Sequence, residues 1–181
     1  MNYDKYLESI QKELDAHMRE SVHFNEEYIT DCEVIMENNK LIIERLDKSL
    51  PLPTYKHAGD AGFDLYAAQD AELCFGVISK VRLGIKMQIP EGFEIQLRPR
   101  SGLAANWGVT LINSPGTIDA GFRGELVAIM TTMQNHGIVK INKGDRVCQA
   151  VLSPITKATI IDGCIDQQTS RGDGGLGSTG V

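Results

Sequence analysis

From residue 41 onward the chain is cut into short runs of β-branched and aromatic residues, each closed by Gly, Pro, Asn or Asp. The runs cover residues 41–46, 63–67, 81–89, 93–97, 109–112, 126–132, 138–141, 147–152 and 158–161. Many short strands with turn residues between them, and no helical pattern intervening, predict an all-β sandwich or barrel. Alternation supports this reading: between Gly92 and Leu97, Phe93, Ile95 and Leu97 occupy every second position, the period of a strand with one face in a core.

The first 40 residues have a different texture. Neither proline nor glycine occurs from Tyr3 to Met36, and Leu7, Ile10, Leu14, Met18 and Val22 recur in steps of three and four, which predicts an amphipathic helix. Residues 28–36 predict a further short helical stretch, and Asn38-Asn39 a turn. The segment is acidic: residues 1–40 carry ten acids and four bases, whereas residues 41–181 carry fourteen of each. Without a basic domain, nucleic acid is not an expected partner. Acidity equally disfavours an anionic membrane surface, and no apolar run approaches the roughly 20 residues of a membrane span. With no signal-peptide pattern at the N-terminus, the expected location is the cytoplasm. Cys32, Cys74, Cys148 and Cys164 are widely spaced, which predicts reduced, mostly buried thiols. The expected organisation is an acidic helical extension over 1–40, a β-barrel core over 41–165, and a Gly-rich arm over 166–181.

Five segments spend glycine, proline and charge where a β-domain normally spends apolar residues. They are Ala58-Gly59-Asp60-Ala61-Gly62-Phe63-Asp64-Leu65; Arg98-Pro99-Arg100-Ser101-Gly102-Leu103-Ala104; Asn113 to Glu125, with Ile118-Asp119-Ala120-Gly121-Phe122-Arg123-Gly124 inside it; Gly144-Asp145-Arg146-Val147-Cys148-Gln149; and Arg171 to Gly180. Arg100 and Arg171 can fork onto phosphate oxygens. Ser101, Ser178 and Thr179 offer hydroxyls, and the glycine-dense tail can present backbone N–H groups to an anion. Asp64 and Asp119 are suited to orienting a metal-bound water and an attacking water. Phosphoryl transfer asks for such parts: positioning, charge neutralisation and a held nucleophile. Each segment alone also has a plain structural reading, as a turn, a linker or a surface ion pair.

In this order the five segments closely resemble the signature motifs of the trimeric dUTPase family, over about residues 41–181. The resemblance implies a jelly-roll β-barrel, a homotrimer with shared sites, and Mg²⁺-dependent hydrolysis of dUTP to dUMP and pyrophosphate. It assigns Asp119 to the water that attacks the α-phosphorus. Asn113, Ser114, Gly116, Thr117 and Ile118 would read uracil, and Phe122, where the family usually has tyrosine, would exclude a ribose 2′-hydroxyl. Arg100, Ser101, Gly102 and Gln149 would hold the triphosphate, with Arg171, Gly177, Ser178 and Thr179 closing over it. Asp64 would reach Mg²⁺ through water. Leu176 stands where the family usually has phenylalanine, and its cover over the uracil lacks an aromatic face.

The alternative activity is a dCTP deaminase, or a bifunctional deaminase and dUTPase, on the same fold. An alternative of another class is a regulatory protein that grips a protein partner through its N-terminal helix. The complete fifth segment and the uninterrupted hairpin of the third favour the hydrolase.

Overall fold

The computed structural model describes residues 40–166 and 168–174. The expected N-terminal helix, and Leu176, Gly177, Ser178 and Thr179 of the arm, lie outside them.

Eleven strands and one short helix make up the described fold. The strands are β1 Ile42–Arg45, β2 Phe63–Tyr66, β3 Ala71–Leu73, β4 Ser79–Arg82, β5 Ile85–Gln88, β6 Phe93–Pro99, β7 Val109–Leu111, β8 Gly116–Asp119, β9 Val127–Thr132, β10 Val139–Ile141 and β11 Arg146–Pro154, with helix α1 Ser101–Trp107 between β6 and β7. They form a four-stranded sheet in the order β2-β11-β6-β8, a three-stranded sheet β4-β9-β7, and two ribbons, β1-β5 and β10-β3. All named pairings are antiparallel. The fold is all-β, as the spacing of the apolar runs predicts.

One core joins the sheets. Leu65, Leu73, Val81, Met87, Ile95, Leu97, Leu126, Met130 and Val147 are buried in it, drawn from strands of every sheet. Burial follows the strand period: in β2, Phe63 and Leu65 point inward while Asp64 and Tyr66 remain half-buried. The core therefore dictates which side of the large sheet carries polar groups, because a one-residue slip would exchange the faces.

Four expectations need correction. The apolar run 81–89 is two strands, not one, broken at Gly84. That residue has φ +64 and a Cβ there would lie 2.9 Å from the Cβ of Ala68, so only glycine fits the bend without strain. Residues 158–161 form no strand: Ile160 and Ile161 are 96% and 81% exposed, and among the described residues no strand pairs with them. Residues 101–107 form a helix where none is expected. Seven residues are too few to display a helical period, and the helix is closed by Gly108 in the left-handed region, whose N–H reaches the carbonyls of Ala104 and Leu103. Finally, the thiols are not mostly buried: among the described residues Cys148 is buried, Cys74 half-buried and Cys164 exposed.

Candidate active site

Strand register brings the first, second and fourth segments together. Asp64 on β2 stands opposite Gln149 on β11, and Gln149 stands opposite Arg98 on β6. These three form one row on the polar face of the large sheet. Gly62 lets the first segment lie this close, since a Cβ there would meet the Ala150 carbonyl at 2.7 Å and the Gln149 side chain at 2.8 Å. Arg100 follows the end of β6, and Ser101 and Gly102 are exposed in the first turn of α1.

Asp64 organises the row's charge. One carboxylate oxygen accepts from Arg100 Nε at 2.9 Å and the other from Arg146 Nη1 at 3.1 Å. Arg100 Nη1 also donates to the Arg146 carbonyl at 2.9 Å. Two arginines on one carboxylate leave a net positive charge at the mouth of a cleft, in geometry that a phosphate can enter. Arg146, Asp64 and Gln149 line this cleft, of about 460 Å³, together with Lys56 and His57. Beneath it, burial pushes the Cys148 thiol up to about 12, and the nearby Asp64 carboxylate acts in the same direction. That thiol is a structural group, not a nucleophile.

The third segment builds a second, separate feature. Strand β8 pairs with β6 so that Gly116 faces Leu97, Thr117 faces Gln96 and Asp119 faces Glu94. Asn113, Ser114, Thr117, Asp119 and Phe122 are exposed along this hairpin, Ile118 is half-buried and Gly116 is buried. A Cβ on Gly116 would lie 3.1 Å from Asn113 Nδ2, so its bare backbone is what seats the asparagine. Past Asp119 the chain turns back, with the Phe122 N–H donating to the Asp119 carbonyl at 3.0 Å. The Phe122 ring lies over Gly124, where a Cβ would come within 2.6 Å of it.

Two residues without a sequence-based role hold this turn. Glu125 accepts from Arg82 Nε and Nη2 at 2.9 and 2.7 Å, and its other oxygen accepts the Gly84 N–H at 3.1 Å. The ion pair raises the pKa of Arg82. Arg82 gives no signal in the sequence, since its partner is 43 positions away. Arg146 was detectable as the charged member of the Gly144-Asp145-Arg146 turn, although its contact with Asp64 was not.

The two features adjoin at one end, where Gly116 stands opposite Leu97 beside Arg98, and Asp119 lies at the other end of the hairpin. Asp119 lines a cleft with Pro90, Arg123 and Lys157, whereas Arg100, Arg146, Asp64 and Gln149 line others. Arg100 lies six residues beyond Glu94, the partner of Asp119, or about 20 Å along the strand direction at ~3.3 Å per residue. Arg171 lines none of these clefts and donates to the Gly174 carbonyl inside its own turn.

Among the described residues no cluster of three or more His, Cys, Asp or Glu side chains could cage a metal ion. The donors that exist fit an ion of another kind: one carboxylate with both oxygens already in ion pairs, beside a cleft of about 460 Å³ that Lys56, Arg98 and Arg146 also line. Mg²⁺ sheds water reluctantly and is commonly held through substrate phosphates with one or two carboxylates. Asp64 is the carboxylate of the row whose chemistry suits that arrangement.

Residues 48–180 match the family described as dUTPase. The chain belongs to the dUTPase family. It is 41% identical over 152 residues to the deoxyuridine 5'-triphosphate nucleotidohydrolase of Thermobifida fusca, covering 84% of this chain and 85% of that protein. To the enzyme of the same description from Thermoanaerobacter sp. it is 45% identical over 136 residues, covering 74% and 91%. Among solved structures, the dUTPase of Staphylococcus bacteriophage 80alpha with dUpNHpp superposes with a TM-score of 0.70 at 25% identity, over 79% of this chain and 99% of that one. Among the described residues of this dUTPase-family chain, no helix is long and apolar enough to cross a membrane.

Proposed function

We propose that the chain hydrolyses dUTP to dUMP and pyrophosphate at sites shared between copies of itself. The observation that carries this reading is the split site. The hairpin adjoins the charged row at Gly116, but Asp119 and Arg100 lie toward opposite ends of β6, about 20 Å apart along the strand direction at ~3.3 Å per residue. A closed homotrimer supplies each row with the hairpin of a neighbour. The exposed Ile160, Ile161 and Ile165, at 96%, 81% and 80%, support this. An extended segment bearing three bare isoleucines finds its cover on another chain, where it can also carry the arm to a neighbouring site.

Asp119 holds the attacking water and takes its proton as the water adds to the α-phosphorus. Asn113, Ser114, Gly116, Thr117 and Ile118 read the uracil edge, and a wrong base leaves their groups unpaired. Phe122 lies against the deoxyribose and leaves no room for a 2′-hydroxyl. Arg100, Ser101, Gly102 and Gln149 hold the triphosphate, with Arg171, Gly177, Ser178 and Thr179 of the arm, and Leu176 covers the base. Asp64 orients Arg100 and Arg146 and faces the metal's water shell. Mg²⁺ held through water at Asp64 and by the substrate phosphates would supply charge neutralisation for the leaving pyrophosphate. The acidic helix expected over 1–40 and a cytoplasmic location complete the reading.

Product analysis tests it. With Mg²⁺ and dUTP, UTP, dCTP or dTTP supplied separately, dUMP and pyrophosphate are expected from dUTP alone. Ammonia from dCTP would place the chain with the deaminases, and hydrolysis of UTP would remove the role given to Phe122.

A further inference from the structure

Several large apolar side chains are exposed around one end of the barrel, and an exposed apolar cluster marks a surface that another segment or molecule can cover. Phe75, Val77, Ile78, Trp107, Met133 and Ile138 are each exposed by half or more, between 50% and 65%. Backbone contacts bring the segments carrying Phe75, Trp107, Met133 and Ile138 together. Phe75 forms a bridge with Thr132, Thr132 Oγ1 donates to the Trp107 carbonyl at 2.6 Å, and the Met133 N–H donates to the Gly108 carbonyl at 2.9 Å. Val139 stands opposite Leu73, which brings Ile138 to the Cys74–Phe75 side. Trp107 and Ile138 then share a cleft of about 440 Å³ with Arg100, Lys140 and Arg146, against which Asp145 is the one acid. Arg100 and Arg146 are already engaged by Asp64, so Lys140 is the cation this cleft offers to an acidic partner.

We propose that this face is the docking site for residues 1–39 of the same chain. That segment bears the complementary chemistry. It holds ten acids and three bases, and its apolar residues Leu7, Ile10, Leu14, Met18 and Val22 follow the spacing of one helix face. Such a helix lays its apolar side into a groove and leaves its charges at the groove's edge. The segment also lies outside the stretch that matches the family, which begins at residue 48.

Reach is sufficient. Ile42 pairs with Gln88 in the antiparallel β1–β5 ribbon, so Lys40 lies beside Pro90. Twelve residues separate Pro90 from Ile78, and an extended chain of that length spans at most about 43 Å. The 34 residues from Tyr3 to Met36 would cover about 50 Å as a helix.

Trp107 is the only tryptophan in the chain and reports on the face directly. The chain beginning at Lys40 retains every core residue among those described, and a cooperative thermal transition is the first check that it folds. Trp107 emission is expected to lie further to the red in the truncated chain than in the full chain, with several-fold greater quenching by acrylamide. A synthetic peptide of residues 1–39 added to the truncated chain is expected to reverse both changes, less effectively at high salt. Lys140→Glu in the full chain is expected to move the emission toward that of the truncated chain. Equal exposure of Trp107 in both chains overturns the proposal. So does equal shielding in both, which would mean that another copy of the barrel or its arm covers the face.

Discussion

The Asp64 row and the Asp119 hairpin are held by different means. In the row, side chains hold side chains: one carboxylate binds Arg100 and Arg146, in a cleft floored by strands β2, β11 and β6. In the hairpin, the carboxylate of Asp119, proposed to hold the attacking water, is exposed and its position comes from backbone. The β8–β6 register, the Asp119–Phe122 turn and the Glu125 clamp to Arg82 and Gly84 set it. A binding half gains from fixed charge that a phosphate can share. An attacking half needs a carboxylate free to take a proton.

The widest separation of the halves is expected from Asp119→Asn. Turnover should fall by about 10²–10⁴-fold, the range of a lost general base, while nucleotide affinity by equilibrium binding is retained. Substantial residual hydrolysis would move the attack to another residue. Arg100→Gln should do the reverse in part. Loss of one charged hydrogen bond to phosphate is worth about 1.5–3 kcal/mol, read as a rise in KM and weaker binding. Mixing and co-refolding these two inactive or impaired variants sharpens the comparison further. If sites are shared, some mixed assemblies hold an intact Asp119 hairpin facing an intact Arg100 row, and activity should reappear. No recovery in a mixed oligomer would place both halves of each site in one chain.

Smaller effects follow. Leu176→Phe should tighten nucleotide binding by about 0.5–1.5 kcal/mol, on the scale of an aromatic pair; an unchanged KM would show that the arm's cover does not need a ring. Cys148 supplies a pH test of the floor beneath the row. Its thiol stays protonated in the fold up to about 12, against an ordinary value of 9.0, while the unfolded chain releases that proton earlier. Its contribution to stability is therefore complete below 9.0 and lost as pH rises toward 12. Thiol labelling at pH 8 should modify exposed Cys164 at once and Cys148 only on unfolding; rapid labelling of Cys148 would mean that the floor opens.

Much of the fold was legible because strand period and turn residues are local signals. Residues 93–97 alternate, and the core takes Ile95 and Leu97 while Phe93 packs partly buried against it. The misreadings had local causes too. Helix α1 is shorter than two helical turns, the bend at Gly84 interrupts an apolar run without changing its composition, and the isoleucines of 158–161 look like a strand whether or not a partner exists.

The chain's sequence by itself determined the all-β architecture, the five segments rich in glycine and charge, and the residue types available for phosphate, base and water. These depend on period, backbone freedom and side-chain chemistry, which neighbouring residues already specify. Only the tertiary structure decided that Asp64 joins Arg100 to Arg146, that Glu125 reaches back 43 positions to Arg82, and that Asp119 lies a strand's length from the arginines. Those facts depend on which strands pair and in what register, and the burial of one shared core sets that register across distances no local pattern can encode.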